Sequence, residues 1–151
     1  MRGNGERRRR PAQQPTAQQQ LEAAQLAMSS LPLSPSSSVM RTGALFGFAA
    51  VALGAFGAHG LKNIISDQHL LKSWETAAHY QLVHSVMLCM CGTLGNQVSN
   101  RTSNLFSLGT ILFSGSIYGL VLTRWKVLGP VTPIGGLLLL GGWASLGVDF
   151  M

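Results

Sequence analysis

Between Arg41 and Lys62 the chain carries no charged side chain. The stretch "GALFGFAAVALGAFGAHGL", Gly43 to Leu61, is about 19 residues of Gly, Ala and large apolar residues, close to the roughly 20 that a helix needs to cross a bilayer. A signal peptide is the competing reading, because its apolar core is shorter and ends in small residues. The length of the run and the flanking Lys62 favour a retained span. Two more runs of similar length follow, "LFSLGTILFSGSIYGLVL" (Leu105 to Leu122) and "VTPIGGLLLLGGWASLGV" (Val131 to Val148). Only 11% of the 151 residues are charged, against about 25% in an ordinary soluble domain. The chain is therefore expected to be an all-α membrane protein.

A fourth span is expected between the first and the second of these runs. "KNIISDQHLLKSWETAAHYQLVHSVMLCMCGTLG" opens with Ser66 or Asp67 as a helix cap and continues amphipathically to about Thr76, with Leu70, Leu71 and Trp74 at helical spacing. From Ala77 to Gly95 it is apolar apart from His79, Tyr80, Gln81, His84 and Ser85. One long helix lies at the interface and then enters the membrane. The expected architecture is a compact bundle of four transmembrane helices, about residues 43–60, 77–95, 105–122 and 131–148, within a domain of residues 41–151. Residues 1–40 form a disordered basic tail rich in Gln, Ser and Pro, which cannot bury enough apolar surface to offset its ordering. "AQQQLEAAQLAM" within it is a weak helix former. The tail is rich in Arg and Ser and poor in acids. It fits an organelle transit peptide, although four adjacent arginines make no clean amphipathic helix, or a plain solvated tail.

The net charge of +6 owes much to Arg2 and Arg7 to Arg10 at the N-terminus. Nucleic-acid binders spread their basic residues over a folded face, so nucleic acid is not an expected partner. At the span ends, Lys62, Trp74 and Trp125 are expected as interface anchors. His59 joins them, complementing a helix C-terminus, with Gly60 able to take positive φ and stop the helix.

Small residues recur at interface spacing. Gly43, Gly47, Ala50, Gly54 and Gly57 share one face of the first span, Gly115 and Gly119 repeat the device in the third, and Gly135 and Gly136 in the fourth. Helices in a bilayer gain little hydrophobic energy from meeting, so close backbone approach supplies the attraction. These positions are read as helix packing, with a glycine-lined passage as the alternative. The polar positions Thr76, Tyr80 and His84 lie four residues apart on the second span. Ionisable residues at membrane depth are costly and point inward, which makes His84 the first candidate for function. Its plainer reading is a neutral imidazole bonded to a neighbouring helix, through Tyr80 or Ser116.

Chemistry of other kinds finds no support. His59, His69, His79 and His84 are too scattered for the three or four converging ligands of a metal site, and no metal or cofactor is expected. Cys89 and Cys91, two apart on a helix, face different sides and read as packing residues. There are no paired carboxylates, no nucleophile elbow and no phosphate-binding loop, so no catalytic residue is assigned and the chain is read as a non-enzyme.

"GALFGFAAVALGAFGAHGLK", "WETAAHYQLVH", "LFSGSIYGL" and "GPVTPIGGLLLLGGW", in this order, resemble the small membrane-protein family of unknown function that includes bacterial YgdD-like proteins and the eukaryotic transmembrane protein 256 group. The likeness runs from about Gly43 to Phe150. The family-like positions are Gly54, Gly57, His59, Trp74, Thr76, Tyr80, His84, Gly115, Tyr118, Pro133, Gly135, Gly136 and Trp143. His79 and the long tail depart from the pattern. The resemblance implies a four-helix integral membrane protein and carries over no activity. The eukaryotic members imply a mitochondrial inner membrane, the bacterial ones a plasma membrane. The expected role is structural or accessory, with the lipid bilayer, further copies or other membrane proteins as partners and no soluble substrate. The rivals are a small carrier or channel with Tyr80 and His84 lining a passage, and a membrane enzyme acting on a lipid or quinone with His84 as base.

Overall fold

The computed structural model describes residues 15–29 and 34–151. The arginine run at the N-terminus lies outside the described residues. Within the first unit of the chain, α1 (Ala17–Ser29) is a 13-residue helix. Ala, Gln, Leu and Glu favour it. A reciprocal cap starts it: Gln19 N–H donates to Thr16 Oγ1 at 3.4 Å, and Thr16 N–H donates to Gln19 Oε1 at 2.9 Å.

The second unit holds four helices: α2 (Ser37–His59), α3 (Gln68–Leu94), α4 (Asn100–Thr123) and α5 (Val131–Asp149). Among the described residues there is no strand. Each helix packs on its sequence neighbour, α2 on α3, α3 on α4 and α4 on α5. Three segments, Ser37–Asn63, Asn100–Thr123 and Lys126–Asp149, are long and apolar enough to cross a membrane. The expected fourth, α3, does not meet that standard. It has length to spare, 27 residues or about 40 Å, but its hydropathy is diluted by Lys72, Glu75 and a series of His, Gln and Ser residues.

The helix ends follow local chemistry. Asp67 Oδ1 accepts the His69 and Leu70 N–H groups at 2.9 and 3.4 Å, so Asp67 and not Ser66 starts α3. Ser99 Oγ accepts the Thr102 N–H and starts α4. Pro133 stands third in α5, where its missing N–H costs nothing. Gly60 does not stop α2 by a positive φ. Its φ is −84° and the helix tightens into a 3-10 turn, Leu61–Asn63. The positive-φ turn comes instead at Gly95 (56°), where a Cβ would run into the Ser34 carbonyl. Arg124 is the non-glycine residue in that region (59°), ending α4.

Two core clusters hold the helices. One gathers Leu61, Ile65, Leu70, Trp74 and Val121 around the end where α2 meets α3. The other gathers Leu88, Cys91, Val98, Phe106 and Leu139 toward the opposite end. Trp74, expected at the headgroup level, is 2% exposed. Its indole N–H donates to the Leu53 carbonyl at 2.8 Å, and its ring lies 4.5 Å from that of Tyr118 and 5.7 Å from that of Phe56. It is a core residue because α2 offers it the open face beside Gly57. Trp125 is exposed.

Candidate functional site

The polar residues of α3 divide by what covers them. Gln81, His84 and Ser85 are buried, whereas Thr76, His79 and Tyr80 are exposed. Gln81 Nε2 donates to the Phe46 carbonyl of α2 at 3.0 Å. From the other side, Ser114 of α4 donates to the Ala77 carbonyl of α3 at 2.8 Å. In each case a side chain reaches the backbone oxygen of the neighbouring helix, a donor and acceptor that both need partners away from water.

His84 is 5% exposed and sits among rings. Its Nδ1 lies 2.7 Å from the Tyr80 carbonyl oxygen, and the Trp143 indole nitrogen of α5 lies 3.3 Å from its Nε2. A carbonyl only accepts and an indole N–H only donates. The two partners therefore select one tautomer: Nδ1 carries the proton and Nε2 offers its lone pair. Both nitrogens of a neutral imidazole are engaged, one within α3 and one across to α5. Tyr80 stacks on the His84 ring at 5.9 Å and lies 4.7 Å from Phe113. Phe106 meets both His84 and Trp143. Ser116 is not His84's partner; it bonds Thr132 Oγ1 at 2.7 Å. Thr76 stands apart from Tyr80 and His84, its hydroxyl turned back to the Lys72 carbonyl at 3.0 Å.

The glycines also divide. A Cβ at Gly43 would lie 2.7 Å from the Cys89 nitrogen, and one at Gly135 would strike the Phe113 backbone. At Gly57 the obstacle is the Trp74 indole, and at Gly119 it is the Leu128 side chain at 2.8 Å. Gly47 meets Ser85 at 3.2 Å, Gly54 meets Ala78 at an ordinary 3.8 Å and Gly136 meets Phe113 at 3.7 Å. Ala50 is buried. Gly115, expected in packing, has nothing within 4 Å. It faces outward on α4 in line with the exposed Leu108, Ile111 and Leu122.

Pattern reading had no signal for two further features. One is a polar clasp where α4 begins and α5 ends. Asp149 Oδ2 accepts from Thr102 Oγ1 at 2.6 Å, from the Ser99 N–H at 3.0 Å and from Ser99 Oγ at 3.1 Å. Ser145 Oγ lies 2.7 Å from Thr102 Oγ1 and accepts from Arg101 Nε at 3.1 Å. The other is a groove between α2 and α3, described by two adjoining cavities of about 550 and 730 Å³ that share Gly54, Ala58, Lys72, Glu75 and Ala78. His59 is exposed beside it, its carbonyl accepting from Asn63 Nδ2 at 3.1 Å. A third cavity of about 200 Å³ lies beside Gln81, Gly115 and Tyr118. Tyr80 and His84 line none of these three. Among the described residues, no group of three metal-ligating side chains converges.

The family described as "Protein of unknown function (DUF423)" matches residues 53–136. The chain is 50% identical over 107 residues to the UPF0382 membrane protein SAB0533 of Staphylococcus aureus, covering 69% of this chain and 87% of that protein. It is 43% identical over 114 residues to the UPF0382 membrane protein C1782.12c of Schizosaccharomyces pombe, covering 72% and 97%. No solved structure matches. With more than half of its length matched and relatives this similar on both sides of the bacterial–eukaryotic divide, the chain belongs to the DUF423/UPF0382 family of membrane proteins, a family of unknown function.

Proposed function

We propose that the protein crosses the membrane four times and acts as a non-enzymatic structural or accessory subunit, meeting further copies or a larger membrane assembly through its outer helix faces. What supports a span for α3 is the direction of its polar groups. Gln81, His84 and Ser85 are covered by neighbouring helices, while Leu82, Val83, Val86 and Met90 face outward. From Gln81 onward the helix turns these polar groups inward and apolar ones outward, which suits lipid despite a modest average hydropathy, while the exposed Thr76, His79 and Tyr80 stand toward its N-terminal end. Kinship with the YgdD-like and transmembrane protein 256 groups is compatible with the same layout.

The observation that carries the structural reading is the state of His84. Both ring nitrogens are held by the chain itself. A histidine serving as base or ion ligand needs one nitrogen free toward its substrate. Pinning α3 to α5 through Trp143 is the role that this geometry suits. Gly115 supports the assembly side: a small residue on an apolar face, with open space around it inside the chain, lets another backbone approach.

Gentle detergent extraction followed by native mass analysis tests the proposal. The expected result is a multimer or a larger complex. Gly115→Leu should leave the extracted chain helical and break the assembly, because a Cβ at this position has no intrachain atom within 4 Å. A chain that travels alone as a monomer would refute the accessory role. A solute flux lost on His84→Gln, with assembly intact, would establish the carrier instead. In a eukaryotic cell the Arg- and Ser-rich tail fits mitochondrial import and an inner-membrane location; in a bacterium the location is the plasma membrane. Removing residues 1–40 and following the organelle fraction checks this.

A further inference from the structure

The seam between α2 and α3 opens from one end to the other. At Gly43 a Cβ would sit 2.7 Å from backbone, at Gly47 3.2 Å from the Ser85 hydroxyl and at Gly54 3.8 Å from a methyl. Beyond Gly54 the helices are far enough apart for the whole Trp74 indole to lie between them on one side. On the other side the gap is the groove. Its walls are small and apolar along α2, with Ala50, Gly54, Ala55 and Ala58, and along α3 Ala78 and Leu82 stand beside Thr76 and His79. From Ala50 to Ala58 the small-residue wall follows α2 for about 12 Å at the helical rise. Its mouth holds Lys62, from the turn after α2, together with Lys72 and Glu75 from α3.

The charges at the mouth are unspent. Among the described residues the ion pair present is Arg124 with Asp67 at 3.9 Å; Lys62, Lys72 and Glu75 have no ionic partner. Two ammonium groups and one carboxylate leave a net charge of +1 on the mouth of an apolar trough. A phosphodiester carries one negative charge, and a phospholipid joins that charge to acyl chains. A free phosphate would use the mouth and leave the trough empty. A neutral apolar ligand would fill the trough and leave the lysines unmatched.

We propose that this groove is a binding site for one anionic phospholipid, its phosphate held by Lys62 and Lys72 and one acyl chain lying along the small-residue wall of α2. Glu75 stands beside Lys72 and disfavours headgroups of higher negative charge. Trp74 forms part of the wall and keeps the two helices apart. This site rests on the reading of α2 and α3 as membrane-spanning.

The test uses the full chain, purified in mild detergent and titrated with phosphatidylglycerol, phosphatidylcholine of the same acyl chains, and inorganic phosphate. Retained lipid is counted by native mass spectrometry. One phosphatidylglycerol should be retained, with a preference over phosphatidylcholine of about tenfold or more, as two interfacial lysines supply. Lys62→Gln with Lys72→Gln should erase the preference, and the Arg pair at the same positions should restore it. Ala58→Phe should abolish retention of either lipid with helicity unchanged. Lys126→Gln, at another exposed cation, should change nothing. Equal retention of the two lipids, a preference that survives the double Gln variant, or displacement by phosphate at the lipid's own concentration would overturn the site. Release of the wild-type chain from membranes by alkaline carbonate would instead sink the spanning reading beneath it.

Discussion

Between α4 and α5, glycine faces the partner helix along the whole seam; between α2 and α3, backbone meets backbone only at one end. Gly109 sits under Leu139, Gly135 against the Phe113 backbone and Gly142 against Phe106. Hydroxyls close this seam at both ends, Ser116 with Thr132 at one and the Asp149 clasp at the other. The α2–α3 seam has Gly43 on Cys89 and Gly92 on Met40 at one end, then diverges and is bridged by long side chains: Gln81 to Phe46 and Trp74 to Leu53. The α4–α5 pair is thus closed by contacts at its glycines from one end to the other. The α2–α3 pair is held by struts, which leave space between them.

The comparison can be broken most severely at its largest strut. Trp74→Ala removes the indole that fills the split and its bond to Leu53; thermal or SDS unfolding in detergent should show a loss of about 3–5 kcal/mol. Gly135→Ala attacks the closed seam. Its Cβ meets main chain that cannot swing aside, so a loss of about 1–3 kcal/mol is expected, measured in the same way. Trp143→Phe keeps the ring and removes the donor to His84. Interhelical hydrogen bonds in membranes contribute about 0.6 kcal/mol on average and at most about 1.7, and the loss should fall in that range. His84→Ala in the Trp143→Phe background should then cost only the Tyr80 hydrogen bond and the packing of the ring, the bond to Trp143 being already gone, and a double-mutant cycle reads the coupling between the two positions. The smallest effect belongs to Gly54→Ala. Its Cβ makes an ordinary contact, so stability should change by no more than about 0.5 kcal/mol. A large loss at Gly54 would show that the α2–α3 seam is as tightly closed as the other.

Pattern reading reached the elements more readily than their contacts. The uncharged runs marked α2, α4 and α5 because an apolar run of about 20 residues satisfies its own backbone in lipid as a helix, whereas a barrel strand is about half as long. The same reasoning read α3 as one long helix, and that helix is continuous from Gln68 to Leu94. Spacing also placed Gly43, Gly54 and Gly57 on the face that meets α3. It could not separate Gly135, which abuts backbone, from Gly115, which abuts nothing. Both are glycines in apolar helices, and the difference lies in which helix stands opposite. Trp74 looked like an interfacial aromatic from its amphipathic neighbourhood. Gly57, seventeen positions away, supplies the space that buries it. His84 was legible as a residue needing a partner, and its partner Trp143 lies 59 residues further along the chain.

What the sequence alone determined about this protein was its apolar character and its elements: charge is absent from long runs, a cap at Ser66 or Asp67 opens α3, and small residues line the helix faces. These are local properties, set by transfer free energy and by backbone hydrogen bonding within a few residues. Only the tertiary structure decided that α2 diverges from α3, that Trp74 fills one side of the gap while Lys62 and Lys72 flank the other, and that His84 spends both its nitrogens on the chain itself. Those outcomes depend on how far apart two helices stand, and that distance is set by side chains from both helices at once.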